Sequence, residues 1–133
     1  MANSFYVKAK DGLWGGDIAY DTDNIKCVLV DTGLYTVNLS THEFLSDIPV
    51  GARTAISANL TGKTISNGAI DASDVVLSSV SGNESEAVVV YQDTGSVSTS
   101  RLLVYVDTAT GLPVVPNGTD ITIQWNASGI ASL

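Results

Sequence analysis

The sequence predicts an all-β protein, an antiparallel β-sandwich of jelly-roll-like type with one short helix near residues 41–47. The first observation is a pair of runs, residues 87–91 and 102–106, in which every residue is apolar or aromatic, so that both faces of a strand would be apolar. Such runs are typical of central strands buried on both faces. The second observation is that turn signals recur along the chain and separate about eight to ten short strands, as in sandwiches and jelly rolls.

The N-terminal stretch is the least regular part of the chain. Residues 4–14 fit neither a helical nor a strand period. Asp11-Gly12 interrupts this stretch, and Gly15-Gly16 follows it. We therefore divide the chain into an arm or contact segment, residues 1–16, and a single β-sandwich domain, residues 17–133. Trp14 lies between these glycine breaks, and we predict that it is an exposed contact residue.

A third buried strand is predicted over residues 25–30, where apolar side chains occupy both faces. Cys27 lies within this run and is the only cysteine of the chain, so it has no internal disulfide partner. We expect a buried, unreactive thiol. Residues 34–39 alternate apolar and polar side chains, as a half-buried strand does.

The helix is predicted from a capping pattern. Ser40 and Glu43 have the spacing of a capping box, in which each side chain accepts from the other residue's backbone amide. Pro49 limits the helix to one or two turns. His42 is the only histidine, and we expect a surface or hydrogen-bonded side chain, because a metal site would need further ligands.

The second half of the chain supplies the remaining contact candidates. The loop from Gln92 to Ser100 is too long for a tight hairpin, and its single apolar residue, Val97, is a predicted subunit contact. The apolar C-terminus is a candidate arm through Ile130 and Leu133, able to add a strand to a neighbouring sheet. Deleting residues 4–14 or 130–133 is then expected to leave a folded monomer that assembles poorly.

The net charge of the chain argues against one class of binding partner. The formal net charge is −8 and the isoelectric point is near 4.2, which argues against nucleic acid, because phosphate contacts need clustered lysine and arginine. No run approaches membrane-spanning length, and the first residues lack the pattern of a signal peptide. We expect a chain made in the cytoplasm that contacts neither membrane nor nucleic acid.

No catalytic or metal-binding pattern stands out. A nucleophilic pair would require the strand residue Cys27 to meet His42, and one cysteine with one histidine does not make a zinc site. Calcium at Asp21, Asp23 and Asn24, or at Asp71 and Asp74, is less favoured than capping of turns by these side chains. We therefore expect no enzyme activity, no cofactor and no metal.

Eight stretches, taken in their order and spacing, resemble one known group of proteins. They include Tyr20-Asp-Thr-Asp-Asn-Ile-Lys26 and Ala87-Val-Val-Val-Tyr-Gln-Asp-Thr-Gly95. The others are residues 28–31, 40–48, 60–65, 70–75, 102–107 and 125–130. Together they resemble a family of small structural proteins found in the virions of tailed bacteriophages. The resemblance covers most of the chain beyond Asp17, whereas residues 4–16 match poorly.

The resemblance implies a virion component without catalytic residues, made in the host bacterial cytoplasm. We predict a capsid cement or decoration protein that contacts other virion proteins, the major capsid protein above all, and forms a homo-oligomer such as a trimer. One alternative is a structural component of the tail or baseplate, present in few copies. A second alternative is a carbohydrate-binding adhesion module on the virion surface, which would need an exposed aromatic platform.

Overall fold

The computed structural model describes residues 3–126 and 129–132 of the chain. These residues form a mostly β structure with antiparallel strand pairs and one α-helix, so the all-β prediction is confirmed. The helix is α1 (Val7–Trp14). The strands are β1 (Ser4–Phe5), β2 (Ile25–Val30), β3 (Arg53–Ile56), β4 (Thr64–Ser66), β5 (Ala69–Asp71), β6 (Val75–Leu77), β7 (Ala87–Gln92), β8 (Leu102–Val106), β9 (Ile121–Ile123) and β10 (Ala131–Ser132).

The largest sheet has five strands in the order β1-β8-β7-β2-β3. The two apolar runs of the sequence are its neighbouring strands β7 and β8, and β2 pairs with β7 along its whole length, from Ile25 opposite Gln92 to Val30 opposite Ala87. Every residue of β8, and every residue of β7 except Gln92, is buried. Burial of both faces explains why these strands carry no apolar–polar alternation.

Two smaller sheets complete the structure, with strand orders β10-β5-β4 and β6-β9. The Asn67-Gly68 turn predicted from the sequence joins β4 to β5, with φ angles of 52° and 80°. The predicted alternation at residues 121–125 also holds: Ile121, Ile123 and Trp125 are buried, and the residues between them are exposed. In the described residues the sheets stay open and do not close into a barrel.

The helix predicted near residues 41–47 is wrong, because only a single 3₁₀ turn forms there, at Leu45–Asp47. The Asp47 carboxylate accepts from the backbone amides of Glu43 and Phe44, at 2.8 and 3.1 Å. Those amides therefore have an acceptor without a helix, and Phe44 stays extended with φ −121° and ψ 159°. Asn38 fills the role assigned to Ser40, since its side chain accepts from the amides of Ser40 and Thr41.

The helix lies instead in the N-terminal segment for which the sequence showed no clear period. Gly12, read as a break, lies inside α1 and is buried. A Cβ at this position would come within 2.9 Å of Ile18 Cδ1, so the missing side chain lets the next loop pack against the helix. The helix ends at Gly15 and Gly16, and Gly16 has φ +81°, a left-handed conformation that favours glycine.

Residues 4–14 are built into the core and do not extend away from it as an arm. Ser4 and Phe5 pair with Tyr105 and Val104 at the edge of the main sheet. Tyr6 is fully buried, and Ala9 on the inner face of α1 is buried with it in the same hydrophobic core as β7 and β8. This segment therefore contributes to folding, and only its outer side is available for contacts.

Candidate interaction surface

The most exposed large apolar side chain in the described part of the chain is Trp14, at the C-terminal end of α1. Its indole is 88% exposed, and every other described aromatic side chain is buried or half-buried. Tryptophan is enriched at the centres of protein interfaces because it buries a large area with few rotatable bonds. The prediction that Trp14 is exposed is therefore confirmed, whereas its contact remains a proposal.

An apolar cleft of about 250 Å³ opens beside the helix that carries Trp14. Leu13 of α1 lines one side, Ile65 of β4 and Ile70 of β5 line the other, and Phe5 and Leu103 of the main sheet are part of the lining. Small-molecule sites typically have about 300–1,000 Å³. This cleft is smaller, and it is suited to one or two apolar side chains of a partner.

The wall of the cleft at Tyr20 is fixed by polar contacts. The Tyr20 hydroxyl donates to the Asp71 carbonyl at 2.8 Å. Lys63 lies over the Tyr20 ring, with Nζ 5.9 Å from the ring centroid, and donates to the Asp23 carbonyl. Burial raises the pKa of Tyr20, and the nearby Asp71 carboxylate raises it further. The hydroxyl thus stays protonated and donating, and it holds the loop at residues 18–23 against β5.

Arg101 connects the turn after Trp14 to the segment before the 3₁₀ turn. Its guanidinium lies 3.0 Å from Glu43 Oε2 and 3.5 Å from Asp17 Oδ2. It also lies over the Phe44 ring, 5.4 Å from the centroid. An arginine with two carboxylates and a ring face is held in one geometry, so the turn that follows Trp14 has a fixed position.

Val97 lies in the loop between β7 and β8, as predicted, and is 42% exposed. Its carbonyl accepts from Ser46 N at 3.0 Å, and the Ser100 carbonyl accepts from Leu45 N at 2.8 Å. The loop is therefore docked on the segment that Arg101 also contacts. Arg101 joins the elements that bear Trp14 and Val97, although one residue ends α1 and the other lies in the loop between β7 and β8.

The C-terminal contact candidates differ from the prediction. Ile130 is only 1% exposed, and its backbone amide donates to the Ile70 carbonyl at 2.8 Å. The following strand, β10, pairs with β5 of the same chain. The proposed contact role of Ile130 is therefore corrected, because this side chain belongs to the core. Leu133 lies outside the described residues.

Two of the carboxylates considered for calcium, those of Asp23 and Asp71, accept hydrogen bonds within the protein. Asp23 Oδ2 accepts from Ala19 N at 2.8 Å and from Gln92 Nε2 at 2.7 Å, and Asp71 Oδ1 accepts from Ala72 N at 2.8 Å. Across residues 3–126 and 129–132, no group of three or more histidine, cysteine, aspartate or glutamate side chains is placed to hold a metal ion. Cys27 is buried, and burial raises the pKa of its thiol to about 11.

Sequence reasoning missed the cleft and the Arg101 contacts. Ile65 is the only apolar residue of β4, and that isolated apolar position is the one signal in the sequence that points to the cleft. Arg101 is far from Glu43 and Asp17 in the sequence, and no local spacing predicts these contacts. They follow only from the tertiary fold.

No protein-family model matches the chain, and no curated protein sequence matches it significantly. None of the helices in the described residues has the length and apolar character that a membrane crossing requires.

Proposed function

We propose that this protein is a non-enzymatic virion structural protein of a tailed bacteriophage, and specifically a capsid cement or decoration protein that binds the major capsid protein. One observation carries the proposal: on an acidic protein, the helix that carries an 88% exposed tryptophan also lines a small apolar cleft, through the preceding residue Leu13. Tryptophan is enriched among the residues that contribute most of the binding energy at protein interfaces. The sequence resemblance supplies the virion context.

The rest of the molecule is compatible with this role. A cement protein must fold before assembly and then add contact area to a finished shell. Here a free, buried cysteine leaves the core without disulfides, and three buried strands supply its centre. The jelly-roll-like arrangement of the sheets, assembly into a homo-oligomer such as a trimer, and location in the virion are parts of the same proposal.

The test is binding of the purified protein to purified capsids that lack it, measured by sedimentation and gel quantification. Trp14→Ala should weaken binding by at least about thirtyfold, since a central interface tryptophan contributes about 2 kcal/mol or more. Val115→Ala is the matched control, because Val115 is 66% exposed on another loop. Unchanged capsid binding by the Trp14 variant would count against this surface, and no binding by the native protein would count against the role.

Two alternatives are separated by different measurements. A tail or baseplate component would be present in few copies, which quantitative mass spectrometry of whole virions measures directly. A carbohydrate-binding module would use Trp14 as a stacking surface, but the other described aromatic side chains provide no exposed platform around it. We therefore expect no Trp14-dependent signal on an array of bacterial surface glycans.

A further inference from the structure

The only histidine of the chain ends a hydrogen-bonded series that starts in the protein interior. The Tyr6 and Tyr35 hydroxyls are 2.9 Å apart, and both side chains are buried. The Tyr35 hydroxyl lies 2.8 Å from His42 Nδ1, and the two rings stack with centroids 5.3 Å apart. His42 is half-exposed, so the imidazole can exchange protons with solvent, whereas the two tyrosines are shielded from it.

The direction of each hydrogen bond is fixed by the backbone. The amide N–H of Asn38 points at the same atom, His42 Nδ1, at 3.3 Å. Because a backbone N–H is only a donor, Nδ1 must be an acceptor, and the neutral ring carries its hydrogen on Nε2. Tyr35 then donates to His42, and Tyr6 donates to Tyr35. Both tyrosines are held as donors in this order.

We propose that His42 is a proton-sensitive lock between the segment at residues 35–42 and the start of α1. A proton on Nδ1 would face two donors, the Asn38 amide and the Tyr35 hydroxyl. If Tyr35 reverses to accept, it donates to Tyr6, whose hydroxyl then needs a new acceptor in a buried position. The Asn38 amide also loses its acceptor. Each such loss is unfavourable in a dry interior.

The lock acts on the first turn of α1. Tyr6 immediately precedes the helix, and the amide of Val7 donates to the Leu39 carbonyl at 2.8 Å. Opening of the segment at residues 35–42 would therefore release the start of α1 together with the buried Tyr6. The inference depends on these contacts alone and is independent of the proposed virion role.

Other charged and titratable groups surround the hydrogen-bonded series. Burial raises the pKa of Tyr35 to about 12 and also raises that of Tyr6, and the Asp47 carboxylate and Tyr105 act on both in the same direction. Both phenols thus remain protonated at neutral pH. Glu43, next to His42 in the sequence, is paired with Arg101. Among side-chain types, the imidazole is the one that ordinarily changes its charge between about pH 5 and 8.

The first test is ¹⁵N NMR of the whole chain between pH 8 and pH 5. With one histidine, the imidazole nitrogen signals have a unique assignment. We expect an unprotonated Nδ1 and a protonated Nε2 at pH 8, and loss of hydrogen-exchange protection at the Val7 amide as the pH is lowered to 5. A ring protonated on Nδ1 at pH 8 would overturn the proposal, as would protection of Val7 that is the same at both pH values.

The second test compares urea unfolding of the native protein with that of His42→Asn. The asparagine Oδ1 is placed near the position of Nδ1 and accepts hydrogen bonds, but it does not titrate. Between pH 8 and pH 5 the native midpoint should fall by on the order of 0.5 M more than the variant midpoint, as loss of one or two hydrogen bonds predicts. Equal shifts in the two proteins would sink the proposal. Should the variant not fold, the NMR measurement on the native chain decides.

Discussion

Arg101 and Glu43 form an ion pair, with 3.0 Å between Nη1 and Oε2, at the junction of β8 and the segment before the 3₁₀ turn. Asp17 adds a second carboxylate to the same guanidinium at 3.5 Å. The arginine side chain is only 23% exposed, so these contacts are partly shielded from water. They hold three segments that are remote in sequence.

We predict that Arg101→Met lowers the free energy of unfolding by about 1–2 kcal/mol, because methionine keeps the packing but leaves two carboxylates unpaired. Urea unfolding monitored by circular dichroism measures this. Lys26→Met is the matched control, since Lys26 has similar exposure and, among the described residues, pairs with a single carboxylate, that of Asp93, at 3.1 Å. An effect no larger than that of the control would show that the junction contributes little.

Alkaline pH should destabilise the protein through its buried tyrosines. Burial is the main cause that raises the pKa of Tyr35 and of Tyr91 to about 12, against 10 for an exposed phenol. Between these values the folded chain binds more protons than the unfolded chain, so stability falls as pH rises. The tyrosine contribution is fully present below pH 10 and is lost between about pH 10 and 12.

Spectrophotometric titration of the phenolates, run beside urea unfolding at pH 8, 10 and 11, measures this effect. In the folded protein the tyrosine absorbance should change late, together with the loss of structure. Titration of all five tyrosines near pH 10 in a protein that stays folded would contradict the burial argument.

The single thiol should report opening of the main sheet. Cys27 lies in β2 with no exposed surface, and burial raises the pKa of its thiol to about 11. Both effects suppress the reactive thiolate at neutral pH. We expect an aromatic disulfide reagent to label the native chain only as fast as the sheet opens, and the urea-unfolded chain at once. Fast labelling under native conditions would mean that β2 opens locally.

Truncation before Gly15 should unfold the protein or destabilise it by several kcal/mol. The removed segment contains Tyr6 and Phe5, and loss of a buried aromatic side chain costs about 3–5 kcal/mol. Trp14→Ala is the control, because it changes the most exposed side chain of the same segment. This variant should leave the free energy of unfolding within about 0.5 kcal/mol of the native value. A truncated chain that folds normally would restore the arm interpretation.

The parts of the fold that the sequence predicted are those set by local pattern. The double-sided burial of β7 and β8, the alternation at residues 121–125 and the Asn67-Gly68 turn all follow from side chains within a few residues of one another. Such short-range patterns need no knowledge of the partner strand.

The errors arose where distant contacts override local preference. Ser40 and Glu43 have the spacing of a helix cap, yet Asp47 accepts from the Glu43 amide and keeps the segment extended. Gly12 suggests a break, yet it lies inside α1 because Ile18 packs against it. Ile130 was predicted to belong to a free C-terminal arm, but its side chain is buried in the core. The sequence alone does not show which distant residues it packs against. The candidate surface was found through Trp14 alone, without its cleft.

The order of the main sheet also has a consequence for synthesis on the ribosome. β1 is translated well before its partner, because its register places Ser4 opposite Tyr105 of β8. The central pair joins β2 to β7 across the intervening strands. Neither pairing can form until the later strand of the pair has been made, and contacts so distant in sequence form slowly. The N-terminal strand must therefore wait, unpaired and with Phe5 and Tyr6 uncovered, until β8 has left the exit tunnel.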